Sequence, residues 1–207
     1  MPNWQPLVES VLASRLARGV GAVLLNGGQS ITGLIPSLMQ LGALVAAIGN
    51  SESIGGSQTA GNSIGISDLA NVFTAVPEPY RNSPKFAFLM NSTTLAYLMK
   101  TLNKQGSPVV IDITQGEPKL WGKQILIDEN MPLIGVGNYP VIAGDFSYWL
   151  TRSCPGSLYV KRYTQAAGLV EKGLFGISLF CREGGVLLYN DNPSFSPLWL
   201  LGNQAAS

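Results

Sequence analysis

The segment Gly61-Asn62-Ser63-Ile64-Gly65 is the place in this 207-residue sequence where residue spacing most suggests covalent chemistry. It matches Gly-x-Ser-x-Gly, the pattern of a nucleophile elbow, in which a serine lies on a strained turn between a strand and a helix. The sequence contains no histidine, so a Ser-His-acid triad cannot form within the chain. A hydrolase would have to pair Ser63 with a lysine. A Gly/Ser loop that matches the motif by composition is the better interpretation.

Other candidate sites also have structural interpretations. Gly19-Val20-Gly21 lies inside a helical pattern, and Gly55-Gly56 has neither a Gly-Lys-[Ser/Thr] ending nor a preceding strand, so neither is typical of a phosphate-binding loop. Asp128-Glu129 and Asp145 lie near turns, where carboxylates commonly cap or are solvated, and no pair is spaced as an acid/base couple. We therefore predict no catalytic, cofactor-binding or metal-binding residue.

Cys154 and Cys181 are too few and too far apart for a disulfide framework or a zinc site, which favours free thiols in a reducing compartment. Arg182-Glu183, at the end of a strongly apolar stretch, has two interpretations. It is either a solvated strand end or an ion pair across a subunit contact, which would give register more than affinity.

Composition favours a protein that associates with other copies. Apolar residues make up 46% and charged residues 12%, about half the usual share of charge, so neighbouring subunits are expected to cover part of the surface. The net charge is +1 with Lys and Arg scattered, so the sequence shows no basic patch for tight nucleic-acid binding. No signal peptide opens the chain, and the longest apolar region, Leu34–Ile48, is interrupted and shorter than the roughly 20 residues of a bilayer span, which predicts a soluble protein.

The first element that these patterns predict is a long helix from Trp4 to about Leu25, because apolar residues recur every three or four positions. Asn26-Gly27-Gly28 is a typical helix end. A helix this long at the start of the sequence is expected to lie across another part of the molecule.

The middle of the chain, Gly116–Ser147, is predicted to have a structural role and no catalytic residues. Its apolar residues form short strand-like runs, and its polar residues lie at turns. Further helices are expected over Leu38–Ile48 (helical or a buried loop), from a Ser67 cap to about Ala75 with Pro77 and Pro79 ending it, and over Thr94–Asn103 with Ser92 or Thr93 as its cap. Ser51–Gly65 is predicted to be a loop. Strands are expected at Lys85–Met90, Lys119–Ile127, Pro140–Ala143, Tyr148–Thr151, Leu158–Tyr163, from Val170 or Leu174 to Cys181, where Arg182–Gly185 breaks it, and at Val186–Tyr189. Asn190–Pro197 is predicted to be a turn before the apolar end Leu198–Leu201. The predicted fold class is α+β.

Five segments, in the same order, resemble the major capsid protein of tailed bacteriophages of the Hong Kong 97 type. Glu9–Gly28 resembles the long spine helix with its Asn-Gly end, and Phe88–Leu98 resembles a strand and helix with an Asn-x-x-Thr-Leu run. Gly116–Pro132 resembles the Leu-x-Gly-x-Pro-Val…Met-Pro segment, with Lys-Gln where Tyr-Pro is usual. Ala143–Ser147 resembles a Gly-Asp-Phe-Ser turn, and Cys181–Leu200 resembles the closing Arg-x-Gly-Gly-x-Val segment.

The resemblance implies a Hong Kong 97-like shell subunit with a peripheral lobe, 1–28 plus 155–182, and an axial lobe, 29–154 plus 183–207. It implies a virion protein, assembled in the host cytoplasm into pentamers and hexamers around DNA bound without sequence specificity, with scaffold, protease and portal proteins as further partners. No cofactor is implied. An encapsulin-like nanocompartment shell is the alternative with the same fold. The residues expected at subunit contacts are Trp4, Arg15, Arg18, Arg182 and Glu183.

The sequence departs from the family pattern at its start. Family members carry an N-terminal arm and an extended loop before the spine helix, and this chain begins almost at the helix. We therefore expect a processed fragment or a degenerate prophage version. The cross-linking lysine known in some members lies on that loop, so the resemblance assigns no cross-linking or catalytic residue here.

Overall fold

The computed structural model describes residues 4–49, 62–101, 111–112, 117–154, 159–163, 170–172, 176–189 and 192–203. In these ranges the helices are α1 Trp4–Asn26, α2 Leu34–Leu41, α3 Ile66–Ala75, α4 Glu78–Arg81 and α5 Ser92–Lys100. The strands are β1 Leu44–Ala46, β2 Phe86–Met90, β3 Ile111–Asp112, β4 Lys119–Leu120, β5 Lys123–Ile127, β6 Val141–Asp145, β7 Trp149–Ser153, β8 Tyr159–Tyr163, β9 Gly176–Phe180, β10 Glu183–Leu187 and β11 Leu198–Gly202. Short 3-10 helices lie at Phe146–Tyr148, Val170–Lys172 and Pro193–Phe195. The α+β fold class is confirmed.

A mixed sheet with the strand order β1-β11-β6-β2-β5-β4-β3 forms the centre of the molecule. Its middle strands are buried on both faces, which explains why β2 and β6 are apolar without alternation. On one face Phe88 of β2 packs with Leu69 of α3 and Leu98 of α5. On the other face Ile142 of β6 packs with Leu38 of α2 and Leu25 of α1. Two short antiparallel pairs, β7 with β10 and β8 with β9, lie outside this sheet.

The long N-terminal helix ends as its sequence predicts. Gly27 takes a left-handed conformation with φ 85°, which glycine adopts without steric cost, and its N–H donates to the Val23 carbonyl oxygen at 2.8 Å. The next glycine, Gly28, donates its N–H to the Ile31 carbonyl oxygen at 2.9 Å, which turns the chain back toward α2.

The single strand predicted over Lys119–Ile127 is wrong, because Trp121 and Gly122 interrupt it and form a tight turn between β4 and β5. Both residues have positive φ, 49° for Trp121 and 76° for Gly122. Asn-Gly is the usual pair in such a turn, and a tryptophan gives no signal of it. The Trp121 ring lies 5.6 Å from the Phe73 ring, centroid to centroid, so contacts with the aromatic core hold this conformation.

The predictions for Leu38–Ile48 were also incomplete. The helix begins earlier, at Leu34, and ends at Leu41, where Gly42 (φ 78°) closes it by donating its N–H to the Met39 carbonyl oxygen. Strand β1 follows and pairs in parallel with β11, Leu44 opposite Leu200. A three-residue strand beside a glycine has too short a pattern to be read as a strand.

Two predicted helix caps were wrong by one or two residues. Gly65, not Ser67, is the N-cap of α3, and the carboxylate of Asp68 accepts the Gly65 N–H. Asn91, not Ser92 or Thr93, caps α5, because its side-chain oxygen accepts the Thr93 N–H at 2.9 Å. Asparagine is as good a cap as serine, so the sequence could not rank them.

Other boundaries also differ. Helix α5 ends at Lys100, and the predicted end at Asn103 lies outside the described residues, as do 51–61 of the predicted loop. Pro79 lies inside the short helix α4. The strand expected from Val170 or Leu174 begins at Gly176, and the chain breaks only at Cys181 and Arg182, because Glu183, Gly184 and Gly185 belong to β10. In the sequence, two consecutive glycines predict the end of a strand. In the structure Gly184 and Gly185 instead pair with Arg152 and Thr151 of β7.

Candidate functional site

The exposed side of α1 is the first surface to which the sequence points. Arg15 and Arg18 are exposed on this helix, and Trp4 is its first residue. Glu9 near the start of α1 forms an ion pair with Arg162 of β8, with the Arg162 Nη2 to Glu9 Oε1 distance at 3.2 Å. Because both side chains are largely solvated, the pair contributes little to stability and serves to align β8 along the helix.

An apolar groove of about 350 Å³ lies between the C-terminal half of α1 and the junction of β9 and β10. Its walls are Leu16, Gly19, Val20, Val23, Leu24, Ile31 and Cys181, with Glu183 at the edge. Gly19, which has no side chain, therefore leaves space on this side of the helix. Gly185 permits the close approach on the other side, because a Cβ there would overlap the Trp149 ring and lie 3.2 Å from Leu24 Cδ2.

Arg182 and Glu183 lie at the junction of β9 and β10. Arg182 is exposed, and its carbonyl oxygen accepts the Cys154 N–H at 3.1 Å. Glu183 is half-buried, and its Oε1 accepts the hydroxyl of Ser153 across the β7–β10 pair at 2.7 Å. Glu183 is the first residue of β10, whereas Arg182 lies just before the strand. Cys154 and Cys181, which flank the junction, are free thiols.

Exposed apolar side chains also gather at one end of the central sheet. Ile48 is 60% exposed, Val136 52% and Leu133 49%. The segments that carry them are joined there, because the Gly137 N–H donates to the Asn203 carbonyl oxygen and the Ala47 N–H donates to the Gly202 carbonyl oxygen. Apolar side chains this exposed on a rigid sheet end are typical of a protein contact surface.

The carboxylate of Asp68 fixes the β1 side of this sheet end. Asp68 is fully buried and accepts three backbone N–H groups, from Ile48 at 2.7 Å, from Gly49 at 3.0 Å and from Gly65 at 2.9 Å. A buried carboxylate with several amide donors satisfies its hydrogen-bonding capacity without a cation. The carboxylate therefore joins the end of β1 to the start of α3.

Asp145, in the Gly-Asp-Phe-Ser turn, is a cap, as the sequence predicts. Its Oδ1 accepts both the backbone N–H of Ser147 at 2.9 Å and the Ser147 hydroxyl at 2.6 Å. Burial acts to raise the pKa of the carboxyl, but the hydrogen bonds from Ser147 and Ser83 and the charge of Lys85 together lower it below its usual value. The ionised side chain thus holds the corner between β6 and β7.

The lowered pKa of Asp145 makes the stability of this corner pH-dependent. The stabilisation is complete above the unfolded-state pKa of about 3.9 and is lost as pH falls through the lower folded-state pKa. We expect the wild type to be more stable than Asp145→Asn at pH 7, and the gap to shrink by pH 3. Urea unfolding of both proteins at pH 7, 5 and 3 measures it. Ser147→Ala, which removes one donor, should show part of the same loss, whereas an unchanged gap at pH 3 would contradict the assignment.

Ser63 does not have the setting of a nucleophile. The residue is 2% exposed, and the Asn203 side-chain amide donates to its carbonyl oxygen at 3.0 Å. A nucleophile elbow instead presents its serine hydroxyl to substrate. Among the described residues no group of three His, Cys, Asp or Glu side chains is placed to hold a metal ion. None of the described helices is long and apolar enough to cross a membrane.

The apolar end of the sheet was missed from the sequence for a physical reason. Leu44, Ala46 and Ile48 are exposed, whereas Val45 and Ala47 between them are half-buried and buried, respectively. This is the alternation of a strand with one covered face, but both sets are apolar, so the sequence pattern carries no contrast between them. Their exposure becomes visible only when β1 is placed at the edge of the sheet.

Comparison with solved structures finds the same fold in shell proteins. The capsid of an empty GTA particle is 23% identical with a TM-score of 0.71, covering 97% of this chain and 66% of that chain. A structure from Microbacterium phage Oxtober96 is 15% identical with a TM-score of 0.68 and the same coverage. The SrpI encapsulin from Synechococcus elongatus PCC 7942 is 18% identical with a TM-score of 0.61, covering 100% of this chain and 68% of that chain. This chain therefore spans about two thirds of the length of these shell proteins.

A search of curated protein sequences finds no significant match. The model of the phage capsid family, in contrast, matches residues 3–192, which include α1, the whole central sheet except β11, and both outer strand pairs. The order of elements and the structural likeness agree with that match. The chain belongs to the phage capsid family.

Proposed function

We propose that this chain is the core of a major capsid protein that assembles into an icosahedral phage or prophage shell enclosing DNA. The observation that carries the proposal is the match of the phage capsid family over residues 3–192. The role is structural, without catalysis. The protein belongs to the virion, is assembled in the host cytoplasm, and works there with scaffold, protease and portal proteins.

The surface chemistry supports repeated contacts between copies. Ile48, Leu133 and Val136 expose apolar area at the sheet end, and the groove beside α1 exposes more. These patches differ from one another, so a contact between them would be heterologous, and heterologous contacts close into rings when the rotation allows. Each patch is small, so single contacts are weak, and misplaced subunits can dissociate before the shell closes.

The proposed lobes divide the chain into a peripheral part, 1–28 plus 155–182, and an axial part, 29–154 plus 183–207. The ion pair between Glu9 and Arg162 and the contact of Cys181 with the α1 groove support the peripheral part.

The proposed contact residues between copies are Trp4, Arg15, Arg18, Arg182 and Glu183, to which we add Ile48, Leu133 and Val136. An encapsulin-like shell has fold similarity alone in its favour, and burial of Ser63 argues against the hydrolase.

Mass photometry and negative-stain microscopy at rising concentration test this function, on this chain and on a version extended upstream as the gene allows. We expect rings or shells from the extended chain. Ile48→Thr/Val136→Thr should raise the concentration needed for assembly by about tenfold or more, because each side chain loses apolar area from the contact.

Met99→Thr is the matched control, because Met99 is 43% exposed on a different element, α5. Its assembly concentration should stay within about twofold of wild type. Monomers under every condition for both lengths would overturn the shell function. Equal effects of the double variant and the control would overturn the sheet end as a contact.

A further inference from the structure

Strand β10 is hydrogen-bonded along one edge. In the described residues its single partner strand is β7, in antiparallel register. The Leu188 N–H donates to the Tyr148 carbonyl oxygen at 2.8 Å, and the Cys154 N–H donates to the Arg182 carbonyl oxygen at 3.1 Å. Every second residue of an antiparallel pair takes part in such bonds, so the even-numbered residues of β10 direct their backbone groups at β7. The other edge of β10 therefore carries the backbone groups of the odd-numbered residues.

The groups on this other edge belong to Glu183, Gly185 and Leu187. Within the part of the chain that the structure describes, no backbone N–H or C=O of these three residues has a hydrogen-bond partner. Leu187 is buried, and Glu183 and Gly185 are half-buried. Backbone groups in such positions need a partner, from protein or from water. The outer edge of β7 differs, because Thr151 and Ser153 are exposed to solvent.

A groove of about 390 Å³ runs along the unpaired edge, and we call it the β10 groove. Its lining includes all five residues of the strand, Glu183–Leu187. A groove over one face of a strand touches alternate residues, whereas a groove along an edge touches consecutive ones. Because β7 occupies one edge, the groove lies along the other. Most of its remaining wall comes from the loop after α1 and from α2: Ser30, Ile31, Thr32, Ser37 and Gln40.

The spacing of the unpaired backbone groups matches one class of ligand. They repeat at about 6.6 Å, which is twice the rise per residue of a strand. An extended peptide backbone presents its own donors and acceptors with the same repeat, so it can bond to all of them at once. A small polar molecule would reach fewer of them. The five residues of β10 span about 17 Å, the usual length of a strand.

The charge of the lining points to an uncharged segment of peptide. Among the described residues that line the groove, Glu183 is the one charged residue, and its Oε1 accepts the Ser153 hydroxyl at 2.7 Å. The hydroxyls of Ser30 and Thr32 and the amide of Gln40 are available to bond to the second edge of an inserted strand. A chain in which 12% of the residues are charged contains many uncharged segments.

We propose that the β10 groove receives an extended strand from a second copy of the chain, which enlarges the β7–β10 pair to a three-stranded sheet. The inference rests on the proposed function, because a shell places identical copies side by side. A strand given to one neighbour and a strand received from another form a heterologous contact, the kind that closes into rings. Main-chain hydrogen bonds supply the affinity of such strand addition.

Hydrogen-exchange mass spectrometry with fragmentation to single residues tests the proposal. The chain and its version extended upstream are measured below and above the concentration at which mass photometry detects larger species. In the monomer the amides of Glu183, Gly185 and Leu187 should exchange quickly, and in the larger species they should slow by about tenfold or more. The amides of Gly184 and Val186, which face β7 in both states, are the internal controls and should change by less than about twofold.

Glu183→Pro tests the same contact by removing one N–H from the unpaired edge. Proline is tolerated at the first residue of an edge strand, which is the position of Glu183 in β10. Glu183→Ala is the matched variant, because both changes remove the bond to Ser153 and only proline removes the N–H. The proline variant should need about a fivefold higher concentration to assemble than the alanine variant, the effect of one hydrogen bond.

The outcomes separate this contact from shell formation. Larger species whose edge amides exchange as in the monomer would overturn the strand contact and leave the shell function standing. Edge amides that are already slow in the monomer would also overturn it, because the groove would then be filled within one chain. Monomers under every condition would overturn both proposals. If Glu183→Pro fails to fold, the exchange measurement on the wild type decides alone.

Discussion

Gly144→Ala is expected to prevent stable folding of the central sheet. Gly144 has φ 145°, a conformation that L-residues rarely adopt. A Cβ there would also overlap the Pro197 carbonyl oxygen and lie 2.8 Å from Leu198 Cα, and both atoms belong to the backbone of the paired segment. Strands β6 and β11 would have to separate at the place where Gly144 opposes Leu198. We expect a loss of more than about 4 kcal/mol, a large part of the stability of an ordinary domain.

Urea unfolding followed by tryptophan fluorescence measures this loss, with soluble yield as a second readout. Gly184→Ala is the matched control, because Gly184 also lies in a strand but has an ordinary φ and no atom within 4 Å of the added methyl group. That variant should stay within about 1 kcal/mol of wild type. Similar unfolding midpoints for the two variants would show that β6 and β11 tolerate a side chain at Gly144, against the packing described above.

Local signals in the sequence were enough for α1 and β2. A helix of 23 residues repeats its apolar pattern many times and ends before Gly27, and Phe86–Met90 is a compact apolar run. The resemblance to the capsid family, which rested on short motifs in order, is confirmed. Its Gly-Asp-Phe-Ser motif has a structural reason, because Gly144 permits the approach of β11 and Asp145 caps the following turn.

Features that depend on long-range pairing could not be predicted. Ser153 and Glu183 lie thirty residues apart in sequence, and their side chains meet only because β7 pairs with β10. Contacts of this kind leave no signal in the local sequence pattern.

Asp68→Asn is expected to destabilise the protein by about 3 kcal/mol or more. The native carboxylate accepts three N–H groups with its two oxygens, and the residue has no exposed surface. Asparagine keeps one oxygen, so its NH₂ group must face at least one backbone donor, which leaves a buried N–H without an acceptor and adds repulsion. Urea unfolding gives the total loss. Hydrogen exchange gives its location, since the amides of Ile48, Gly49 and Gly65 should lose protection first.

Asp128→Asn is the control that distinguishes the buried Asp68 carboxylate from a carboxylate in an ordinary turn. Asp128 Oδ1 accepts the Asn130 N–H and the Asn130 side-chain amide, each at 2.8 Å, but the residue is half-buried, and water can replace what asparagine loses. That variant should cost less than about 1 kcal/mol. If Asp68→Asn were as mild, β1 and α3 would be joined by packing alone. If it is severe, Ile48 at the sheet end owes its fixed position to Asp68, and shell assembly should weaken together with stability.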